Sequence, residues 1–146
     1  MALNLQIVTA ERVVFEGDVD YVSAPGETGV LGILPHHAAL LSGLKAGELH
    51  YKRGNEEIAL AIGGGFIEIL RNKVIVLADS AERSDEIDIQ RAEQARKRAE
   101  QLLSERGKLN ADDVLRAEAS LRRALARIDV SRRRSGRGGV PRSTQD

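Results

Sequence analysis

Asp88, Arg91 and Ala92 open a segment in which Arg98 follows Arg91 by seven residues. If that segment is a helix, the two arginines lie two turns apart on one face. A guanidinium pair so placed can meet phosphate oxygens bidentately. The same residues also suit an ordinary helix start, in which an Asp88–Arg91 pair contributes about 0.2–0.5 kcal/mol. Gly63-Gly64-Gly65 lacks the Lys-Ser/Thr of a P-loop and a following helix, so a bulge or close backbone approach fits better than a phosphate cradle. His36 and His37, if in a strand, point to opposite faces and do not readily hold one ion. His50 is the one other histidine and there is no Cys. No nucleophile–base pair stands out, so neither catalytic residues nor a metal site are expected.

Two kinds of element must position these residues. Leu3, Leu5 and Ile7 alternate with polar neighbours, the period of a half-buried strand. Val13 and Phe15, then Val19 and Tyr21, continue it, with Glu16-Gly17-Asp18 reading as a turn between them. Pro25 to Gly29 reads as a loop. Arg53-Gly54-Asn55 joins one hairpin, and Arg71-Asn72-Lys73 joins a second. Short strands at close spacing, with no long helical pattern between them, predict an antiparallel β-sandwich or barrel.

The pattern changes after Ser84. From Asp85 to Glu105 there is no Gly or Pro, and Ala92, Ala95, Ala99, Leu102 and Leu103 recur at helical spacing. Gly107 suits the end of that helix. Asn110 caps a second, whose stripe is Val114, Ala117, Leu121, Ala124, Leu125 and Ile128. The predicted fold class is thus β then α: an antiparallel β-sandwich over 1–84, a C-terminal α-helical hairpin over 85–130, and a disordered Arg-rich tail over 131–146. Alanine stripes let helices approach closely but remove little apolar area from water. Such a hairpin is either a detachable element or a permanently docked one, and composition leaves both open.

The chain has 146 residues, with 42% hydrophobic and 30% charged side chains, which is globular. The absence of Cys excludes disulfides and thiolate metal sites. Four aromatics leave little for base stacking. No stretch is long and apolar enough to span a bilayer, and the first residues do not read as a secretory leader, so a soluble intracellular protein is expected. The net charge is zero but uneven. Residues 1–84 carry 7 basic and 11 acidic side chains, and residues 85–146 carry 15 and 11.

Three segments resemble the epsilon subunit of bacterial F-type ATP synthases. They are Pro25-Gly26-Glu27-Thr28-Gly29-Val30-Leu31-Gly32 running on to Leu41, Gly63-Gly64-Gly65-Phe66-Ile67-Glu68-Ile69 with Val74 to Asp79, and Ile87-Asp88-Ile89-Gln90-Arg91-Ala92. The likeness covers Leu3 to about Ile128, in order. It implies a sandwich of about ten strands and a non-catalytic rotor subunit of the central stalk. The implied partners are the gamma subunit, the c-ring and the alpha/beta catalytic head, with membrane contact only indirect through the c-ring. The implied location is peripheral, on the cytoplasmic face of the bacterial inner membrane.

The resemblance also assigns residues. Gly26, Glu27, Thr28, Gly29, Val30, Leu31 and Gly32 form a loop expected to face the c-ring, and His37 lies near the gamma contact. Val30 stands where some relatives have an acidic residue, and Ala39 where a proline is usual. Glu82, Ile87, Asp88, Arg91, Ala92, Arg98, Arg122, Arg123 and Arg127 would hold a regulatory ATP in the folded hairpin. Arg116, Arg122, Arg123 and Arg127 would face an acidic segment of the beta subunit when the hairpin extends and inhibits hydrolysis. Two rivals remain: an ATP-sensing β-sandwich regulator, and an RNA-binding adaptor led by the Arg-rich tail. Scarce aromatics and an acidic sandwich speak against the second, and no nucleic acid partner is expected.

Overall fold

Strict alternation of burial along Leu3–Val8 shows how the β half forms: Leu3, Leu5 and Ile7 are wholly buried and their neighbours are half-buried. The computed structural model describes residues 2–139, with side chains through Arg133. Eight strands follow one another: β1 (Leu3–Val8), β2 (Val13–Val19), β3 (Tyr21–Gly26), β4 (Gly29–Ile33), β5 (Leu40–Arg53), β6 (Glu56–Leu70), β7 (Lys73–Ala78) and β8 (Ala81–Arg83). They pair in the order β2-β1-β7-β6-β5-β3-β4, with β8 added to β6. All pairs are antiparallel except β1 with β7. The long β5 and β6 pair with each other from Leu40 opposite Ile69 to Arg53 opposite Glu56. The strand β2 meets β5 where Phe15 stacks on Tyr51, with ring centroids 4.4 Å apart. Inside lie Leu49, Leu60, Ile62, Ile67, Ile69, Val74 and Val76, all at most 1% exposed.

Three local expectations give way to long-range pairing. Glu16-Gly17-Asp18 is not a turn: β2 runs through it because these residues pair with Gln6, Leu5 and Asn4 of β1. Pro25 to Gly29 is not an open loop: β3 and β4 pair up to Gly26 and Gly29, leaving Glu27-Thr28 as a tight tip. His36 and His37 are not in a strand. They sit in a turn after β4, where His36 has φ 67° and its N–H donates to Asn72 Oδ1 at 2.6 Å. The two predicted hairpins form as expected, β5 with β6 and β6 with β7.

The helices are α1 (Ile89–Ser104) and α2 (Ala111–Gly139), joined through a short 3₁₀ turn at Arg106–Lys108. Asp88 caps α1 by accepting from the Arg91 N–H at 3.1 Å. Asn110 caps α2 by accepting from the Asp113 N–H at 2.8 Å. Each cap satisfies a backbone donor that the helix itself leaves unpaired. Gly107 falls inside the 3₁₀ turn, and Glu105 is the residue that ends α1. Ala92 and Ala99 of α1 and Ala117 and Ala124 of α2 are buried, as the alanine stripes predict. Leu102 and Leu125 depart from the stripe and stay 46% and 41% exposed.

The second helix outlasts its predicted end at Val130. Residues 131–139 are helical, which corrects the expectation of disorder from 131 onward. Val130 and Ser131 are buried, and Arg133 reaches Glu48 of β5 at 2.8 Å. Contacts with the sheet, together with the good helix propensity of Arg, carry the helix on. The rest of the predicted tail, 140–146, lies outside the described residues.

Candidate functional site

The helices meet the sheet through few and small side chains. Ala126 and Val130 of α2 pack with Ile87 and Ala61 in a cluster separate from the main core, with Ala59 beside it. Alanine at these points lets the α2 backbone lie close to β6, at the cost of area: about 25 cal/mol is gained per Å² of apolar surface buried. Two ion pairs flank the cluster. Arg127 places Nε and a terminal nitrogen 2.7 and 2.6 Å from Glu82 Oε1. Arg133 reaches Glu48, which also lies 3.5 Å from His50. Both pairs are partly exposed to water, so each contributes only about 0–1 kcal/mol.

A cleft of about 290 Å³ opens beside Arg127, between the strand β8, the linker and α1. Glu82, Asp88, Arg91, Ala92 and Arg127 line it, so five of the predicted ATP residues come together. Glu86 also lines it, which puts three carboxylates against two guanidiniums. The other predicted residues fall elsewhere. Ile87 is buried under α2, where its role is packing. Arg98 borders a shallow surface hollow with Gln101, Leu102 and Glu105. Arg122 and Arg123 line a different cleft, of about 380 Å³, with Gly63-Gly64-Gly65, Asp79 and Glu27. There the glycine run does steric work. A Cβ on Gly63 would collide with the Ser80 hydroxyl and stand 3.5 Å from Arg123 Cδ, while Gly64 and Gly65 take φ of 109° and 141°. These are conformations that side-chain-bearing residues seldom adopt.

The predicted c-ring loop and His37 are not neighbours along the fold. Glu27 and Thr28 are the exposed tip at the start of β4, and His37 follows its end. Val30 on the edge strand is 76% exposed. Around the His36 end lies an apolar surface that the motif reading missed. Phe66 pairs with Leu77 and Leu41 with Glu68, and Phe66, Leu77, Leu41 and Leu70 are 48–70% exposed. The signal was in the sequence: along Phe66 to Leu70, Phe66 and Leu70 fall on the opposite alternation to Ile67 and Ile69, so both faces of the strand carry apolar residues. Exposed apolar side chains grouped this way mark a surface that a partner covers.

Comparisons with known proteins agree with this architecture. Residues 2–84 match the family model described as ATP synthase, Delta/Epsilon chain, beta-sandwich domain, and residues 85–132 match its long alpha-helix domain. The chain is 52% identical over 137 residues to an ATP synthase epsilon chain of Herpetosiphon aurantiacus, covering 94% of this chain and 99% of that one. It is 53% identical over 135 residues to one of Dehalococcoides mccartyi, covering 90% and 94%. Its fold resembles a chain in the mitochondrial ATP synthase OSCP/F1/c-ring assembly of Euglena gracilis, with a TM-score of 0.72 at 18% identity over 83% of this chain and 76% of that one.

The linker between the two halves carries a titratable anchor. Glu86 accepts from Arg12 at 2.8 Å and from the Arg83 N–H at 3.4 Å. The Arg12 hydrogen bond, foremost, holds the Glu86 carboxyl below its ordinary value of 4.5. A carboxyl lowered on folding adds stability above the unfolded value, and that stability is lost as pH falls through the folded one. Arg12→Gln should therefore cost up to about 1 kcal/mol at pH 7 and nothing measurable well below pH 4.5, because the pair is partly exposed. Denaturant unfolding at both pH values checks this.

Proposed function

This chain belongs to the ATP synthase delta/epsilon chain family, and from that premise we propose that it is the epsilon subunit of the central stalk, a regulatory rather than catalytic part. Relatives at about 50% identity over nearly their whole length support the assignment. In this reading the sandwich couples gamma to the c-ring. The apolar surface of Leu41, Phe66, Leu70 and Leu77, with His37 nearby, takes gamma. The tip from Gly26 to Gly32 takes polar loops of the c-ring. No helix among the described residues is long and apolar enough to cross a membrane, and peripheral attachment through the c-ring on the cytoplasmic face follows from the proposed partners.

The observation that carries the regulatory half is the small alanine interface flanked by partly exposed ion pairs. Contacts of that size are broken at modest cost, and low local stability is what a moving element requires. The hairpin is then a brake. Docked, it keeps Arg127 on Glu82. Extended along gamma, it presents Arg116, Arg122, Arg123 and Arg127 to an acidic segment of the beta subunit and stops ATP hydrolysis. Several such pairs are needed, since one exposed pair does little.

A second reading concerns a regulatory ATP. The cleft beside α1 gathers Glu82, Asp88, Arg91, Ala92 and Arg127. Bound phosphates would draw Arg127 from Glu82 and join Arg91, holding the hairpin down. Arg98, Arg122 and Arg123 would have to swing in from their present places. ATP should raise the melting temperature of the chain, and Arg91→Ala should abolish that rise; an equal rise in both would remove Arg91 from the site.

The brake is tested with a disulfide between Ala61→Cys and Ala126→Cys, which meet in the hairpin–sheet cluster of a chain otherwise free of Cys. Added to an epsilon-free catalytic complex containing gamma, the reduced variant should inhibit hydrolysis as the unmodified chain does. The oxidised variant should bind equally well and leave hydrolysis uninhibited. Inhibition by both forms would show that the hairpin need not leave the sandwich.

A further inference from the structure

A further cavity lies apart from the clefts discussed above. It measures about 510 Å³ and lies where β2, β5, β6, β8 and the linker meet α2 at Val130 and Arg133. That volume is within the range of small-molecule sites, about 300–1,000 Å³. Its apolar wall is Phe15, Tyr51, Ile58, Ala59 and Val130. Its cations are Arg53, Arg83 and Arg133, which face two carboxylates, Glu57 and Asp85. Arg83 gives one terminal nitrogen to Val14 O at 2.7 Å, and Arg133 gives one to Glu48 at 2.8 Å. A guanidinium has five donors, so each keeps others for a ligand.

Tyr51 is the second, independent observation. It is 2% exposed, lines the cavity and stacks on Phe15. Burial raises its pKa, while the nearby Arg83 and Arg53 cations act the other way, so the phenol is a donor beside two positive charges. A donor and cations at one side of an apolar wall specify an anionic head on an apolar body.

We propose that this cavity binds a small organic anion, a carboxylate or phosphate ester with an apolar body, whose head is held by Tyr51 and the arginines and whose body lies on Phe15, Ile58 and Val130. Because Val130 and Arg133 come from α2 and the rest from the sandwich and linker, an occupant bridges the two halves.

Octanoate is a suitable probe, titrated calorimetrically into the full chain. It should bind saturably at one site, and neutral octanamide should bind at least about tenfold more weakly, the difference being the charge-assisted bonds to the head. Tyr51→Phe keeps the ring stack and Arg133→Gln changes a half-exposed side chain; each should weaken octanoate by about fivefold or more, the scale of one lost hydrogen bond. Ala59→Phe should fill the cavity and abolish binding. No saturable heat with octanoate, equal affinity for octanamide, or unchanged binding in Tyr51→Phe and Arg133→Gln would each overturn the proposal. Inorganic phosphate binding as tightly as octanoate would overturn the apolar half of it.

Discussion

Close approach through alanine is the constraint on which the rest of this structure depends. Ala92 and Ala99 of α1 and Ala117 and Ala124 of α2 are buried, the two helices pack together, and Ala126 shares a cluster with Ala61 of the sheet. Small side chains bring backbones together without much burial, so the helices keep a defined position and little adhesion. Charges then matter more than they would on a large apolar interface. Arg127 on Glu82 and Arg133 on Glu48 fix where α2 lies along the sheet, while each adds little stability of its own.

The sandwich obeys a different rule. Its interior is a continuous packing of Leu, Ile and Val at near-zero exposure, which makes it a rigid platform. One outer surface takes the alanine face of α2. Another leaves Phe66, Leu77 and Leu41 open to a partner. In the proposed function, one face takes a lasting partner and the other a detachable element: torque needs stiffness, and regulation needs something that lets go.

Much of this was legible in the sequence because hydrophobic period switches from two to about 3.6 after Ser84, and both caps, Asp88 and Asn110, are readable locally. What was not legible came from distant pairing. Nothing within Glu16-Gly17-Asp18 reveals that β1 lies opposite it. Beyond Val130, α2 meets Glu48 through Arg133, a partner more than eighty positions earlier in the chain. The site residues divide likewise. The motif around Asp88 and Arg91 does line a cleft, but Ile87, next to Asp88, and Arg98, seven residues after Arg91, lie in other surroundings. The cavity around Tyr51 has no motif, because its three arginines come from β5, β8 and α2.

The central claim, that the hairpin leaves the sandwich without unfolding it, can be read from thiol labelling, since the chain contains no Cys of its own. A single Ala126→Cys lies at the hairpin–sheet contact, 5% exposed in the parent, and a single Ala24→Cys lies in the sandwich core, 0% exposed. A labelling reagent reaches each only when its surroundings open. The account predicts that Ala126→Cys is labelled at least about a hundredfold faster under native conditions, the ratio for an opening about 2.7 kcal/mol cheaper than global unfolding. Equal rates for the two would contradict it, because the hairpin would then open only when the whole chain unfolds.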